Sequence, residues 1–388
     1  METHRPMRDS FLVFGSPLIE PDEIADVVSC LESRWIGTGP RVARFEQDFK
    51  AYKNAPYAVA VNSCTAALHL SILAAGVQPG DEVITTPMTF CATANAIIHA
   101  GGVPVLVDID PVTLNLDVSR IEAKITSKTR AIVPVHFAGR CCDMQELVAI
   151  ASRHGLKIIE DCAHAIETEQ DGQKAGCFGD FGCFSFYVTK NLTTGEGGMV
   201  LTKSEEDAAR IKTLALHGMT KDAWKRFGDS GYKHYQVEEA GFKYNLTDVQ
   251  AALGIRQLQK VQPRWLRRQA VWNRYMDAFA GLPLTLPASP APGSTHAYHL
   301  FTPLIDEARA GISRDSFLDA MTARRIGVGV HYLSVPEHPF YQRTFGWKPE
   351  DYPAAMKVGR QTVSLPLSAA LTDDDVEDVV HAVKSILG

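Results

Sequence analysis

The chain has 388 residues, of which 45% are hydrophobic, and its formal net charge at pH 7 is −6. This length and apolar content predict a large buried core that is divided between two domains. The negative charge gives no overall attraction to nucleic acid or to anionic membranes, so we expect neither as a partner. No apolar run in the sequence approaches the about 18 residues that a membrane span needs.

The eight cysteines are typical of a chain in a reducing compartment. They form no CxxC pair and no cysteine–histidine cluster with zinc spacing, and most lie in apolar runs. In such runs a thiol packs as a small apolar group. The first residues are not followed by the apolar segment of a signal peptide. We therefore expect a cytoplasmic protein without disulfides and without a bound metal.

The N-terminal part predicts an extended arm over residues 1–20, followed by two helices. Pro21 is expected to begin the first helix, because proline is favoured at the first helical position. Apolar residues then recur at helical spacing, namely Ile24, Val27, Val28 and Leu31. A loop at 37–40 separates this helix from a second apolar stripe, which consists of Val42, Phe45 and Phe49.

From residue 57 onwards, short apolar strands alternate with amphipathic helices. The predicted strands are 57–61, 83–86, 103–107, 131–135, 157–160, 182–186 and 199–202. Helices are predicted at 66–75, 91–100 and 144–154. This alternation predicts an α/β fold with a mostly parallel seven-stranded sheet and helices on both faces. Ligands of such sheets bind at the carboxyl ends of the strands.

The alternation ends near residue 248. A helical run is predicted over 247–280 with Thr247 as its N-cap, and a proline- and glycine-rich stretch follows at 282–293. The remainder predicts a small α+β domain. We therefore divide the chain into a large domain of residues 1–250, which includes the N-terminal arm, and a small C-terminal domain of residues 251–388.

The segment around Lys190 carries the strongest indication of chemistry. Lys190 lies in a weakly polar run without an acidic neighbour, and a glycine-rich turn follows at 195–198. A lysine is a nucleophile only when deprotonated, and desolvation lowers its pKa. The pattern is typical of a lysine that forms a Schiff base with an aldehyde cofactor, although a surface-loop lysine is the alternative. Ser185, at the end of the preceding strand, can donate to a phosphate group.

Asp161 follows the strand 157–160, where a carboxylate can pair with the protonated nitrogen of a pyridine ring. The alternative is that Asp161 is the N-cap of a helix that begins at residue 162. His164 would then lie one helical turn away and could face the same ligand, although a lone histidine is more often structural.

The segment 62–65 lies between a strand and a helix, so it can cradle a phosphate group or simply cap the helix. Phe90 follows another strand, where it can stack on a flat ring or serve as a core aromatic residue. With Lys190 and Asp161, these features indicate pyridoxal 5′-phosphate (PLP) as the cofactor.

Eight segments along the chain resemble, in order, the DegT/DnrJ/EryC1/StrS family of PLP-dependent sugar aminotransferases. They are 35–40, 62–68, 108–110, 134–136, 160–165, 185–198, 241–248 and 365–367. Each segment is weak alone, but the ordered set spans nearly the whole chain. The resemblance implies an aspartate-aminotransferase-like fold (fold type I), PLP as cofactor, and an obligate homodimer with shared active sites.

Within the family, further segments resemble the aminotransferases that make UDP-4-amino-4-deoxy-L-arabinose. These segments are 217–218, 222–224, 306–309 and 327–332. The resemblance implies L-glutamate as the amino donor and a nucleotide-linked keto sugar, with its keto group at carbon 4, as the acceptor. The product would be an amino sugar for a cell-surface glycan.

The resemblance also implies roles at matching positions. Lys190 would bind PLP covalently and move a proton, Asp161 would pair with the pyridine nitrogen, and Phe90 would stack on the ring. His164 would contact the hydroxyl side of the ring. The phosphate group would be bound by Cys64, Thr65, Ala66 and Ser185, together with Asn245 of the partner subunit. The sugar nucleotide would contact Trp35, Gly37, Thr38, His331 and Tyr332.

Cys64 departs from the family pattern, which usually has glycine or alanine at this position. Because cysteine is still small, phosphate binding is expected to survive. Two other functions remain open. A PLP-dependent sugar dehydratase of the same family would carry histidine in place of Lys190. A non-catalytic PLP-binding regulator is the second alternative, although no helix-turn-helix extension and no basic arm is evident.

Overall fold

A computed structural model describes residues 7–219 and 235–388. Residues 1–6 of the predicted arm and the segment 222–224 noted above lie outside the described residues. The strands are β1 Tyr57–Val61, β2 Glu82–Thr85, β3 Val103–Leu106, β4 Thr129–Ile132, β5 Lys157–Asp161, β6 Glu169–Gln170, β7 Gln173–Lys174, β8 Phe181–Ser185, β9 Gly198–Thr202, β10 Leu284–Thr285, β11 Ser294–Thr295 and β12 Leu304–Ile305.

The helices flank these strands and form most of the C-terminal part. They are α1 Pro21–Glu32, α2 Pro40–Lys53, α3 Cys64–Ala74, α4 Cys91–His99, α5 Met144–His154, α6 Glu205–Ala215, α7 Asp248–Gln259, α8 Val261–Phe279, α9 Glu307–Ala310, α10 Arg314–Ala323, α11 Pro339–Phe345, α12 Pro353–Gln361 and α13 Asp373–Leu387. Within the described ranges, no helix combines the length and the apolar character that crossing a bilayer requires.

Seven strands form one sheet in the order β1-β9-β8-β5-β4-β2-β3. The pairs β5–β8, β4–β5, β2–β4 and β2–β3 are parallel, whereas β9 is antiparallel to both of its neighbours. All seven predicted strands are present, with ends shifted by no more than three residues. The α/β architecture with a mostly parallel sheet is therefore confirmed. β5 and β8 are neighbours, so their carboxyl ends, Asp161 and Ser185, lie at the same edge of the sheet.

The helical run predicted over 247–280 is two helices, α7 and α8, which meet at Lys260. Thr247 is the N-cap of α7, and it forms a capping box with Gln250. Pro263 explains the break. It has no backbone N–H, and its ring would clash with the carbonyl of Gln259, the last residue of α7. The predicted helical run is therefore confirmed, with a break at Lys260 that the prediction did not include.

The predicted domain boundary at residues 250 and 251 falls inside α7. Ala251, Ile255 and Leu258 of this helix pack in one apolar cluster with β1, β8 and β9. From Val271 onwards, buried residues join a second cluster that reaches the C-terminus. We therefore propose that the boundary lies within α8. The small domain is mostly helical, since its paired strands are two residues long.

The N-terminal arm is tied to the small domain rather than to the sheet. The Leu12 N–H donates to the Arg325 carbonyl at 2.8 Å, and the Gly327 N–H donates to the Leu12 carbonyl at 2.8 Å. Further along the arm, Gly15 has a φ of +70°, and a Cβ built there would lie 3.1 Å from the Thr189 methyl group. The arm therefore runs from the small domain to the residue that precedes Lys190.

Asp108 links the two domains through a buried carboxylate. It follows β3, and its oxygens accept the N–H groups of Ala354 and Ala355 in the first turn of α12, both at 3.0 Å. The residue is 4% exposed. A carboxylate at a helix N-terminus satisfies donors that the helix itself leaves unpaired.

Asp108→Ala is expected to lower the free energy of unfolding by about 1–3 kcal/mol, because the N–H groups of Ile109, Ala354 and Ala355 lose a charged acceptor. The measurement is urea denaturation followed by circular dichroism. Asp110→Ala is the matched control, because within the described residues that carboxylate accepts only from Val112 and Thr113 in its own turn. Equal losses in the two variants would contradict a role for Asp108 between the domains.

Candidate active site

A cavity of about 520 Å³ opens at the carboxyl ends of β5 and β8. Loops of the large domain form its walls, and residues 331–332 of the small domain contribute one side. The predicted site residues that line it are Cys64, Thr65, Phe90, Asp161, His164, Ser185, Lys190, His331 and Tyr332. The other predicted residues, which the structure also describes, lie outside this cavity. They are Trp35, Gly37, Thr38, Ala66 and Asn245.

Lys190 follows β8 in a turn that is fixed by its own N–H, which donates to the Tyr187 carbonyl at 2.9 Å. Burial lowers the pKa of the Lys190 amine to about 8, although the nearby Cys64 and Asp161 side chains act in the opposite direction. A substantial fraction of the amine is therefore uncharged just above neutral pH. Lys190 is a cavity residue, so the surface-loop interpretation was wrong.

Asp161 is the last residue of β5, and its carboxylate is held by two oxygen or nitrogen donors, with the Cys64 thiol as a weak third donor at 4.0 Å. The Thr93 hydroxyl donates to Oδ2 at 2.8 Å, and the Ala163 N–H donates to Oδ1 at 3.1 Å. Burial raises the pKa of Asp161, whereas these donors and the charge of Lys190 lower it. Residues 162–168 form turns instead of a helix, so the N-cap interpretation of Asp161 was wrong.

His164 reaches the same cavity through those turns, and its hydrogen bonds define its tautomer. The Ala138 N–H donates to Nδ1 at 3.2 Å, so in the neutral ring the proton lies on Nε2. Nε2 then donates to the Tyr332 hydroxyl, which is 3.0 Å away. Burial and the charge of Lys190 lower the pKa of His164, which keeps the ring neutral.

The start of α3 offers a site for a phosphate group. Ser63 is the N-cap, and its hydroxyl accepts the Ala66 N–H at 3.1 Å. The Ala66 N–H is therefore paired within the chain, and the role of Ala66 towards a phosphate group stays a prediction. Among the described residues, the N–H groups of Cys64 and Thr65 have no acceptor, and Thr65 and Ser185, whose side chains carry hydroxyls, line the same cavity. Such a set of donors at a helix N-terminus binds anions.

The residues present fit PLP. The free N–H groups of α3 suit its phosphate group, Asp161 suits its ring nitrogen, and Lys190 suits its aldehyde. Phe90 is 58% exposed, so one face of its ring is available for stacking. Gly198 permits the close packing of this end, because a Cβ there would come within 2.5 Å of the Ser63 backbone.

Asn245, Thr38, Trp35 and Gly37 form a separate cluster on the same chain. Asn245 Nδ2 donates to the Thr38 hydroxyl at 2.7 Å, and Trp35 Nε1 donates to the Thr38 carbonyl at 3.2 Å. The Gly37 carbonyl accepts the N–H of Asp248 at 2.8 Å. This cluster contributes nothing to the Lys190 cavity of its own chain.

Some residues that hold the site together were not predicted from the sequence. Asn191 Nδ2 donates to Glu167 at 2.8 Å and to the Ala297 carbonyl at 2.9 Å, while its Oδ1 accepts from His299 at 3.0 Å. The bonds to Ala297 and His299 fix the Lys190 loop to the small domain. The position of Asn191 directly after Lys190 was the available signal. Thr93, which binds Asp161, was visible only as part of the segment around Phe90.

One buried group resembles a metal site in composition. Potential ligand atoms of His136, Glu160 and Cys162 lie within 4.8 Å of one another. His136 Nε2 lies 3.0 Å from Glu160 Oε2. The Glu160 oxygens also accept three backbone N–H groups, from Gly176, Phe178 and Gly179. The Glu160 carboxylate therefore joins His136 to the loop at 176–179 by hydrogen bonds, one residue before Asp161.

The pKa of Lys190 can be measured in protein that carries no cofactor. Competitive labelling with trace acetic anhydride and peptide mapping should show a Lys190 rate that rises with pH and levels off above about 8. Lys157 is the internal control, because its hydrogen bond to Asp180 raises its pKa above the ordinary value. A Lys190 midpoint at or above that of Lys157 would contradict the buried amine.

Comparison with known proteins places the chain in a family. The model of the DegT/DnrJ/EryC1/StrS aminotransferase family matches residues 17–384. The spore coat polysaccharide biosynthesis protein SpsC of Bacillus subtilis is 47% identical over 381 residues, which are 98% of each chain.

Solved structures show the same fold. The PLP-form of Spr1654 from Streptococcus pneumoniae has a TM-score of 0.90 at 31% identity, and the match covers 97% of this chain and 100% of that one. A PMP-form of Spr1654 is also solved. PseC of Helicobacter pylori, an aminotransferase involved in pseudoaminic acid biosynthesis, has a TM-score of 0.89 at 28% identity over 97% and 99% of the two chains. The predicted fold type and the cofactor PLP are confirmed. The chain belongs to the DegT/DnrJ/EryC1/StrS aminotransferase family of PLP-dependent sugar aminotransferases.

Proposed function

We propose that the protein transfers an amino group from L-glutamate to a nucleotide-linked 4-keto sugar, for the synthesis of a cell-surface glycan. The observation that carries this proposal is a lysine with a pKa of about 8 in one cavity with the Asp161 carboxylate and the exposed ring of Phe90. The relatives SpsC and PseC, which take part in polysaccharide and pseudoaminic acid biosynthesis, support an acceptor of the sugar class.

Each residue has a defined task in this reaction. When bound, PLP supplies an electron-withdrawing ring that stabilises negative charge on the reacting carbon. Asp161 would pair with the ring nitrogen, and Phe90 would stack on the ring. Thr65, Ser185 and the free N–H groups of α3 would hold the phosphate group. The uncharged Lys190 amine removes the α-proton of glutamate and later delivers a proton to the sugar carbon.

The cavity has room for the reacting sugar but little positive charge. Among the described residues that line it, Lys190 is the only lysine or arginine. Burial and the charge of Lys190 lower the pKa of His331 to about 4, so this residue is uncharged at neutral pH. We therefore place the diphosphate of the nucleotide outside the cavity, where a second subunit can approach it.

We also propose a homodimer with shared active sites. Asn245 and Thr38 do not line the Lys190 cavity of their own chain. In a dimer they would instead contact the ligands in the Lys190 cavity of the partner subunit. Helix α1 exposes an apolar stripe of Ile24, Val28 and Leu31, each at least 45% accessible. Trp35 and Ile36 continue this exposed apolar surface. A second copy of the chain would cover it.

Lysine at position 190 argues against the dehydratase alternative, which would carry histidine there. No observation favours the regulator alternative over an enzyme. All eight cysteines are free thiols, which supports our proposal of a cytoplasmic location.

Lys190→Ala should lower the rate of amino-sugar formation by at least about 10²–10⁴-fold, because the proton carrier is lost. The assay supplies L-glutamate with a panel of UDP-, dTDP- and GDP-linked keto sugars and measures the amino sugar by mass spectrometry. The matched control is Lys157→Ala, which removes a surface lysine. Unchanged turnover in the Lys190 variant would overturn the proposed mechanism.

Shared sites predict recovery of activity when two inactive variants are mixed. After subunit exchange, half of the dimers of Lys190→Ala with Asn245→Ala are mixed, and each mixed dimer has one intact site of two. About a quarter of the wild-type activity should return. The control mixes Asn245→Ala with the double variant, which restores no intact site. No recovery despite demonstrated exchange would contradict a site built from two chains.

A further inference from the structure

A chain of two buried hydroxyl groups ends on the Asp161 carboxylate. The Thr93 hydroxyl lies 2.8 Å from Asp161 Oδ2, and the Thr89 hydroxyl lies 2.7 Å from that of Thr93. Thr93 is 1% exposed and Thr89 is 2% exposed. Neither residue belongs to the set of cofactor contacts described above, but both lie against the cavity wall.

When Asp161 is ionised, the donor and acceptor roles of the two hydroxyl groups are fixed. A carboxylate only accepts, so Thr93 must donate to it. The Thr93 oxygen is then free to accept the proton of Thr89. Within the described ranges, the Thr89 hydroxyl has no other hydrogen-bond partner. Hydrogen bonds in such a chain polarise one another, so the Thr89 hydroxyl strengthens the bond from Thr93 to the carboxylate.

Asp161 needs this support because its surroundings work against its charge. The residue is 5% exposed, and burial raises its pKa. Its side-chain oxygens receive hydrogen bonds from Thr93 at 2.8 Å and from the Ala163 N–H at 3.1 Å, and a weak one from the Cys64 thiol at 4.0 Å. Removal of Thr93 would leave the Ala163 N–H as the main donor. The carboxylate would then bind a proton more readily and would be less firmly oriented.

The N-terminal end of α4, which carries Thr93, also carries Phe90, the residue proposed to stack on the cofactor ring. Phe90 is the N-cap of α4, and Thr93 follows within its first turn. Tyr341, in α11 of the small domain, donates to Asn95 of α4 at 2.7 Å. The start of α4 therefore sets both the plane of the Phe90 ring and the direction of the Asp161 carboxylate, and the small domain braces this helix.

We propose that Thr93 is a positioning residue for the transamination, and that it holds Asp161 ionised and aimed at the cofactor ring nitrogen with Thr89 as its support. This inference rests on the proposed function and adds residues to it. Thr93 acts through Asp161 and does not itself contact the reacting atoms.

The test compares Thr93→Val, Thr93→Ser and Thr89→Val with the wild-type holoenzyme. Thr93→Val keeps the shape but removes the hydroxyl, so kcat should fall about 10- to 100-fold, as for loss of a hydrogen bond to a charged group. The KM for the keto sugar should stay within about twofold. Thr93→Ser should restore kcat to within about threefold of the wild type, and Thr89→Val should show a smaller loss than Thr93→Val.

Two readouts do not depend on turnover. The dissociation constant of PLP should rise about tenfold or more in Thr93→Val, because the ring nitrogen loses part of its charge partner. The pH midpoint of the absorption change of bound PLP should move upwards, since a less positive ring makes the Lys190 nitrogen more basic. Thr85→Val is the matched control. It also removes a buried hydroxyl, which donates to the Val133 carbonyl at 2.8 Å.

The outcomes separate the inference from the proposed function. If the wild type neither binds PLP nor aminates a keto sugar, the proposed function is wrong. If the wild type is active but Thr93→Val matches Thr85→Val in PLP affinity and pH midpoint, the positioning role is wrong. Should Thr93→Val fail to fold, Thr93→Ala and Thr93→Ser decide, because they share the lost methyl group and differ in the hydroxyl. Equal midpoints in that pair would also overturn the role.

Discussion

The site depends on keeping two buried groups, an amine and a carboxylate, both without their protons, so that the amine is uncharged while the carboxylate is ionised. Lys190 must lose its proton to act, whereas Asp161 must stay ionised. Desolvation favours the uncharged form of both, so it helps the lysine and hinders the aspartate. The chain resolves this conflict with hydrogen bonds: Asp161 accepts from Thr93 and from the Ala163 N–H. The Lys190 amine, in contrast, forms no carboxylate ion pair within the described ranges, and its pKa falls to about 8.

The sheet provides this arrangement through the order of its strands. β5 and β8 are parallel neighbours, so the turns that follow them begin side by side and bring His164 and Lys190 into one cavity. The Lys190 turn is then fixed from the small domain, because Asn191 binds the Ala297 carbonyl and His299. A loop that carries a reactive amine thus gains rigidity from contacts outside the sheet, which positions the amine without neutralising it.

The features that local patterns encode were predictable from the sequence. The seven strands follow from short apolar runs, and the N-cap of α7 follows from Thr247. The placement of Asp161 was also predictable, since the end of a strand fixes a residue at a known edge of the sheet. The break at Lys260 was visible in Pro263, but the apolar periodicity on both sides of it masked the signal.

Features that depend on the pairing of distant segments were not predictable. The choice of Thr93 as donor to Asp161 joins residues that are 68 positions apart. The Ala66 N–H was expected to be free, but whether Ser63 turns its hydroxyl towards it is a rotamer choice that sequence does not reveal. The separation of Asn245 from the Lys190 cavity likewise follows from how α7 packs on α1 and α2, and no local pattern reports that packing.

Cys64 shows how a departure from the family pattern can be accommodated. It is the first residue of α3, and its backbone N–H faces the phosphate end of the cavity while its sulfur points inwards. The sulfur lies 3.5 Å from the Cys183 carbonyl and 4.0 Å from Asp161 Oδ1. Burial raises the pKa of the Cys64 thiol well above its ordinary value, so it remains an uncharged, weak donor. The group that phosphate binding requires is the N–H, which every residue except proline supplies. A cysteine can therefore replace a smaller residue here because its side chain occupies space beside Asp161 without adding a charge to the cavity.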